Sequence, residues 1–312
     1  MTVTVKESGD HLVDTVTMIA GDLPKRESIQ SEIESRFRDG TLSVPVLAVR
    51  GARPGKTLVT TAGIHGDEYE GQVAIRNLSH KLNPSDVQGR IIMTPSLNLP
   101  AALAGVRCSP IDGLNLNRVF PGNSNGSITM KIAHYISSIL LPLCDAQLDL
   151  HSGGTTLDFI PFVQMIRMRD KSLHNRSLEA LKVCGTPVSL VTTELDSTGN
   201  IAPVCEEMGI VYIGSELGGG GSVSRTNVGY AETAILNFLC HFGVIEGPIV
   251  TPEEQGRPAS RLMTFTDVSS YVMAPDNGLF EPFFELGNEC RKGDCSLSRT
   301  QRKVALGSGG DL

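Results

Sequence analysis

The sequence predicts an α/β fold: a mixed, mostly parallel sheet with helices on both faces, followed by a small all-β piece. Three observations carry this prediction. From about residue 43 to 242, short β-branched or apolar runs alternate with longer segments of helical period, as in strands joined through helices. After Gly247-Pro248 no helical period remains, and only β-favouring pieces follow. A chain of 312 residues with 40% apolar content is long enough for about two cores.

The elements follow in order. Residues 43–49 and 57–61 are β-branched-rich and flank the turn cluster Gly51-Ala52-Arg53-Pro54-Gly55, which predicts a hairpin or two adjacent strands. Residues 67–82 have helical spacing, with Val73, Ala74, Asn77, Leu78 and Leu82 along one side. A strand is expected at 90–94. A helix is expected over 128–144, with Ile132, Ile136, Ile139 and Leu140 apolar. Residues 146–150 read as a strand that ends at His151. Helices at 172–184, 201–208 and 227–242 then alternate with strands at 187–191 and 210–215. Beyond 247 the β-favouring pieces are 261–265, 270–274 and 279–286. The expected organisation is a first domain over 1–247 (with 1–42 as a leading segment), a small β domain over 248–294, and a disordered tail over 295–312.

Charge and composition exclude several functions. Lys and Arg number 27 against 34 Asp and Glu, for a net charge of −7 and no basic run, which argues against a nucleic-acid binder. No stretch approaches the roughly 20 apolar residues of a membrane helix. The seven cysteines form an odd count without C-x-x-C spacing, and residues 1–6 lack the pattern of a signal peptide. A soluble protein of the reducing cytoplasm is expected, with no disulfide framework.

Polar islands stand where predicted strands end. The first is Gly63-Ile64-His65-Gly66-Asp67-Glu68-Tyr69-Glu70-Gly71, in which His65 and Glu68 are three apart on a turn leading into a helix. The second is Asp149-Leu150-His151-Ser152-Gly153-Gly154. Histidine, carboxylate and histidine form a three-ligand zinc set that leaves a fourth position open. In open α/β sheets, sites collect at the carboxyl ends of strands, where both islands lie. The third island holds Arg107 and Asn115-Leu116-Asn117-Arg118-Val119-Phe120-Pro121-Gly122, residues suited to gripping a carboxylate. A loop salt bridge would explain an arginine there equally well. A fourth feature is Glu216, which ends an apolar strand and precedes Leu217 and the glycines 218–221. It suits a base beside a metal site; it also suits a cap on the segment that follows.

Other features carry less. His134 and His241 lie inside helical patterns and read as structural, and His11, His80 and His174 have no partner motif. Cys290 and Cys295 lack the second pair of a metal knuckle. Gly218 to Gly221 lacks the Lys-Ser/Thr ending of a phosphate loop.

Gly-x-His-Gly-Asp-Glu, Asn-x-Asn-Arg-x-Phe-Pro-Gly, Asp-x-His-Ser-Gly-Gly and Glu-x-Gly-Gly occur in that order. This resembles the succinylglutamate desuccinylase/aspartoacylase family, amidohydrolase relatives of the zinc carboxypeptidases, over roughly residues 45 to 290. Within it, Ser109-Pro110-Ile111-Asp112-Gly113 and Thr155-Thr156-Leu157-Asp158-Phe159 are most similar to N-acetyl-diaminobutyrate deacetylases of ectoine breakdown. The resemblance implies a zinc carboxypeptidase-like catalytic domain with one Zn²⁺ per chain held by His65, Glu68 and His151. It implies Glu216 as general base and then acid, and Asn117 with Arg118 on the substrate's α-carboxylate. It also implies Arg107 on the scissile carbonyl, at a longer spacing from Arg118 than in aspartoacylase proper. For the family's substrate-facing tyrosine, Tyr230 and Tyr271 are available. The substrate implied is a small N-acyl amino acid, and homo-oligomers are common in the family.

Residues 274–294 resemble one half of a lipoyl-like β hammerhead. The text departs from the family at about Cys295, as though a closing strand were missing, so this small domain is expected to be incomplete. The leading expectation is therefore a zinc-dependent deacylase. The alternatives are a carboxypeptidase acting on peptides and a metal-free binding or regulatory protein with a degenerate site.

Overall fold

The computed structural model describes residues 6–8, 11–13, 16–18, 42–51, 53–193, 198–265, 279–289 and 298–301. Two compact units are present, Met1–Thr264 and Phe265–Leu312.

In the first unit, the short strands β1 (Lys6–Ser8) and β2 (His11–Val13) pair antiparallel, as do β3 (Val16–Met18) and β4 (Leu42–Val44). The main sheet holds β5 (Leu47–Arg50), β6 (Arg53–Ala62), β7 (Gln88–Thr94), β8 (Ala146–His151), β9 (Phe162–Ile166), β10 (Val188–Thr192), β11 (Val211–Glu216) and β12 (Arg261–Phe265). Their spatial order is β12-β10-β9-β11-β8-β6-β7-β5. The β7/β6/β8/β11 run is parallel throughout, β9 pairs parallel with β10, and β5 with β7 and β9 with β11 are antiparallel. A mixed, mostly parallel sheet is what alternating strands and helices require.

The strands at 47–50 and 53–62 form neither a hairpin nor neighbours, contrary to the local reading. Strand β7 lies between them and pairs with both. The helix after β6 is a crossover that brings β7 back parallel beside β6, which leaves β5 only the outer side.

Two cores form, one on each face. Along β6, Leu58 joins one cluster and Val59 the other; in β7, Ile91 and Met93 oppose Ile92. This is the two-residue period of strands buried on both faces. The first cluster takes Ala74, Ile75 and Leu78 of α1 (Tyr69–Ser79). Helices α4 (Lys171–Val183) and α6 (Arg225–His241) join it through Leu181 and through Ile235 and Phe238. Between them in sequence come α2 (Leu99–Ala104), α3 (Ile128–Tyr135) and α5 (Ile201–Glu207). The opposite face is covered by Ile132 of α3 and by Ile201 and Cys205 of α5.

The single helix expected over 128–144 is broken. It is α-helical to Tyr135, widens to a π turn over Ile136–Leu140, and tightens to a 3₁₀ turn over Leu141–Leu143. Pro142 cannot donate the backbone hydrogen bond that an α-helix needs there. The change of pitch keeps Ile132, Ile136 and Leu140 buried but turns Ile139 outward at 45% exposure.

In the second unit, β13 (Leu279–Pro282) and β14 (Ser298–Gln301) pair antiparallel. The β piece expected at 270–274, and the tail from Cys295 apart from Ser298–Gln301, lie outside the described residues.

Candidate metal centre

The polar islands converge because the sheet places them. The adjacent parallel strands β6 and β8 end together, with Ala62 registered on Leu150, so His65 and His151 emerge side by side. Their rings are 5.2 Å apart. Glu68 opens α1, whose tight docking brings its carboxylate between the two. Gly71 makes that docking possible, since a Cβ there would lie 2.5 Å from the Leu150 Cβ; Gly66 lets the His65 turn pack on α2, where a Cβ would lie 1.9 Å from the Ala101 carbonyl carbon. Ligand atoms of His65, Glu68 and His151 all fall within 4.8 Å of one another, and all three residues are buried.

The hydrogen bonds fix which ring atoms face inward. Asn115 Oδ1 accepts from the Asn117 backbone N–H at 2.9 Å, so the His65 Nε2 that meets it at 3.0 Å must be a donor. His151 Nε2 meets the buried Asp149 carboxylate at 3.1 Å, so it too is a donor. Each ring, when neutral, therefore turns its Nδ1 lone pair inward, toward Glu68 Oε1 at 2.7 Å and Glu68 Oε2 at 2.8 Å. Three acceptor groups aimed at one point are repulsive unless a proton or a cation lies among them. The donor set is histidine, carboxylate and histidine with both outer nitrogens anchored, and it fits zinc.

The electrostatics show the same demand for positive charge at this point. Burial pushes the His65 pKa down, against the opposing pull of Glu68, which favours a bare nitrogen. Burial alone would raise Glu68, but positive charge at His151 and a proton shared with either ring hold it at about 2, fully ionised. Burial would lower His151, yet the Asp149 and Glu68 charges outweigh it and raise its proton affinity well above the usual range.

Glu216 ends β11 opposite His151 in register, and its Oε2 is buried with no hydrogen-bond partner among the described residues. Burial raises its carboxyl to about 8, partly offset by His151. Arg107 reaches the same carboxylate as the histidines, with Nη1 3.1 Å from Glu68 Oε1. Arg118 is exposed; its Nη1 donates to Asn200 Oδ1 at 2.8 Å and to the Asn117 carbonyl at 2.7 Å. Asn117 Oδ1 accepts from the Ile201 N–H at 3.1 Å, which ties this turn to the start of α5. Tyr230 is buried on α6 with the Arg257 guanidinium 4.1 Å from its ring centre; Tyr271 lies outside the described residues. His241 packs edge-on against Phe242.

The loops are tied to one another by residues given no role at the outset. Asp67 Oδ2 accepts from both the backbone N–H and the hydroxyl of Thr155 at 3.0 Å. Gly218 to Gly221 all adopt positive φ, and this loop exchanges backbone hydrogen bonds with Gly153, Gly154 and Leu157. The glycine run after Glu216 is thus a backbone seam between two site loops.

Residues 54–242 match the succinylglutamate desuccinylase/aspartoacylase catalytic domain. The chain belongs to this family. An N-alpha-acetyl-L-2,4-diaminobutyric acid deacetylase of Halomonas elongata is 41% identical over 254 residues, covering 81% of this chain and 73% of that protein. A product-bound ectoine utilization protein of Ruegeria pomeroyi is 35% identical with a TM-score of 0.83, covering 100% of this chain and 88% of that one. A succinylglutamate desuccinylase/aspartoacylase of Rhodobacter sphaeroides is 38% identical with a TM-score of 0.80, covering 86% of this chain and 80% of its own. As a member of the family, the chain is an enzyme acting on N-acyl amides, and its mixed α/β sheet with helices is the family's fold. No helix among the described residues is long and apolar enough to cross a membrane.

Proposed function

We propose that this enzyme is a zinc-dependent deacylase that hydrolyses the amide of a small N-acyl amino acid, N-acetyl-L-2,4-diaminobutyrate foremost. One observation carries the metal reading: both histidines turn Nδ1 to the Glu68 carboxylate while Asn115 and Asp149 occupy their outer nitrogens. The substrate follows from the likeness to the Halomonas deacetylase and the Ruegeria ectoine utilization protein.

His65, Glu68 and His151 would hold the zinc, which supplies Lewis acidity that lowers the pKa of water and polarises a carbonyl. Glu216 is the proton carrier. Its unpartnered Oε2 is free to accept a proton from the attacking water, and burial gives it the affinity to keep that proton until the amine leaves. Arg107, which reaches Glu68 beside the ligand point, would oppose negative charge on the carbonyl oxygen, a contribution of about 3–4 kcal/mol for a well-aimed donor. Arg118, steadied by Asn200, and Asn117 would receive the substrate's α-carboxylate. The five free thiols of the first unit suit a reducing cytoplasm.

The test is a panel of N-acetyl-2,4-diaminobutyrate, N-acetylaspartate, N-succinylglutamate and a blocked dipeptide, assayed with and without chelator. Fastest turnover of the first substrate, lost on chelation and restored by zinc, is the expected result. Preference for the dipeptide would replace the deacylase reading with a carboxypeptidase. A purified protein that takes up no zinc would overturn the metal.

A further inference from the structure

A buried polar chain runs behind His151, on the face of the sheet away from α1. Asp149 is fully buried two residues before His151, so the period of β8 puts both side chains on one face. Its carboxylate accepts three hydrogen bonds. Thr61 Oγ1 donates to Oδ1 at 2.5 Å, Tyr212 OH to Oδ2 at 3.0 Å, and His151 Nε2 to Oδ2 at 3.1 Å. The chain continues outward: Gln147 Nε2 donates to Thr61 Oγ1 at 3.0 Å, and Cys205 Sγ to Gln147 Oε1 at 3.3 Å. These groups come from three adjacent strands and α5, and each is buried.

The two inward-facing histidines are not treated alike. The outer nitrogen of His65 meets a neutral amide on a turn, half exposed at Asn115. That of His151 meets a full carboxylate deep in the sheet. A buried carboxylate with donors on both oxygens is held in one plane, since turning it out of that plane would break all three bonds and restore none.

We propose that Asp149, clamped by Thr61 and Tyr212, is the positioning residue of the site. It holds the Nε2–H of His151 and so dedicates Nδ1 to the inward side. Its placement makes His151, rather than His65, the better-anchored of the two rings. The inference rests on the metal reading for its consequence, but the clamp itself exists with or without zinc. Asp149→Asn tests it directly, because an amide cannot accept on both sides and must turn its NH₂ toward Thr61 or toward Tyr212 and His151.

The experiment has two readouts on the full chain: zinc affinity by competition with a chromophoric chelator, and ¹⁵N NMR of the histidine ring N–H groups in both zinc-free and zinc-loaded protein. Wild type should show a slowly exchanging Nε2–H for His151 in both states. Asp149→Asn should lose it and bind zinc ~10–100-fold more weakly, the range for outer partners of metal-bound histidine. Tyr212→Phe, which removes one hydroxyl from a well-packed site, should keep the signal but speed its exchange at least tenfold; this variant serves if Asp149→Asn does not fold. Zinc binding within twofold of wild type in Asp149→Asn, or unchanged exchange in Tyr212→Phe, overturns the proposal. A wild type with the protected Nε2–H that takes up no zinc would sink the metal reading and leave the clamp standing.

Discussion

His151 and Glu216 are registered partners across the parallel strands β8 and β11, and the Leu217 N–H donates to the His151 carbonyl at 2.9 Å. A candidate ligand and the carboxylate proposed to carry the proton thus end neighbouring strands about 4.8 Å apart, a spacing fixed by the sheet itself. Neither residue depends on a loop for its place. Loops supply the remaining groups, Glu68, Arg107 and Arg118, and those loops are tied down by Asp67, Asn115 and Asn200.

Glu216→Gln should separate proton transfer from metal binding. Glutamine keeps the size of the side chain but cannot take a proton, and Glu216 is not among the three residues that converge on the ligand point. The expected result is a fall in kcat of ~10²–10⁴-fold with zinc content unchanged. Steady-state kinetics beside metal analysis check this. A kcat within tenfold of wild type would remove Glu216 from the chemistry.

Gly66→Ala should damage the site through packing alone. The added Cβ would sit 1.9 Å from the Ala101 carbonyl carbon, and backbone cannot yield as a flexible side-chain end can. Forcing α2 away from the His65 turn should cost about 1–3 kcal/mol, read as a lower urea midpoint. Zinc affinity should fall with it, because the same shift moves His65 relative to Glu68.

Much of this was legible in the sequence. The strand ends at Ala62, His151 and Glu216 followed from β-branched runs stopped by glycine, and His65, Glu68 and His151 followed from chemistry at those ends. The β7 insertion between β5 and β6 was not legible, because local turn signals describe a chain reversal and not which strand fills the gap. Strand β9 was missed, since five residues after Pro161 with only Val163 and Met165 buried carry little periodic signal. Asp149 and Asn115 lay within recognised motifs yet had no assigned task. For Asp149 the signal was present, since a carboxylate two residues before a histidine in a strand shares its face. For Asn115 it was not: its contact with His65 spans 50 residues and depends on how a loop folds.

Stability should decline in alkali through the buried thiols. Burial pushes Cys184 up to about 12, and raises Cys205 well above its ordinary value with added repulsion from Cys144 and Asp149. In the unfolded chain these thiols ionise near pH 9, while the folded protein keeps them protonated. The folded state then binds more protons, so its stability is intact below about pH 9 and falls as the pH climbs toward 12. Each such thiol contributes a slope of up to ~1.4 kcal/mol per pH unit. Urea unfolding between pH 8.5 and 10.5 should show the fall. Cys184→Ala, although less stable at pH 8.5, should show a shallower one; parallel slopes would count against the burial effect.

Arg118 should act on binding and little on chemistry. Its guanidinium is exposed, held from one side by Asn200 Oδ1 and the Asn117 carbonyl, and so keeps donors free for a carboxylate. Arg118→Lys keeps the charge but loses the paired geometry and the fixed fork. For an N-acyl amino acid, KM should rise about tenfold in Arg118→Lys and more in Arg118→Ala, with kcat changed far less, the signature of lost uniform binding. The corresponding N-acyl amine without an α-carboxylate should be hydrolysed equally by wild type and both variants. If its rate fell in parallel with that of the acid, Arg118 would be acting on the reaction centre and not on the carboxylate.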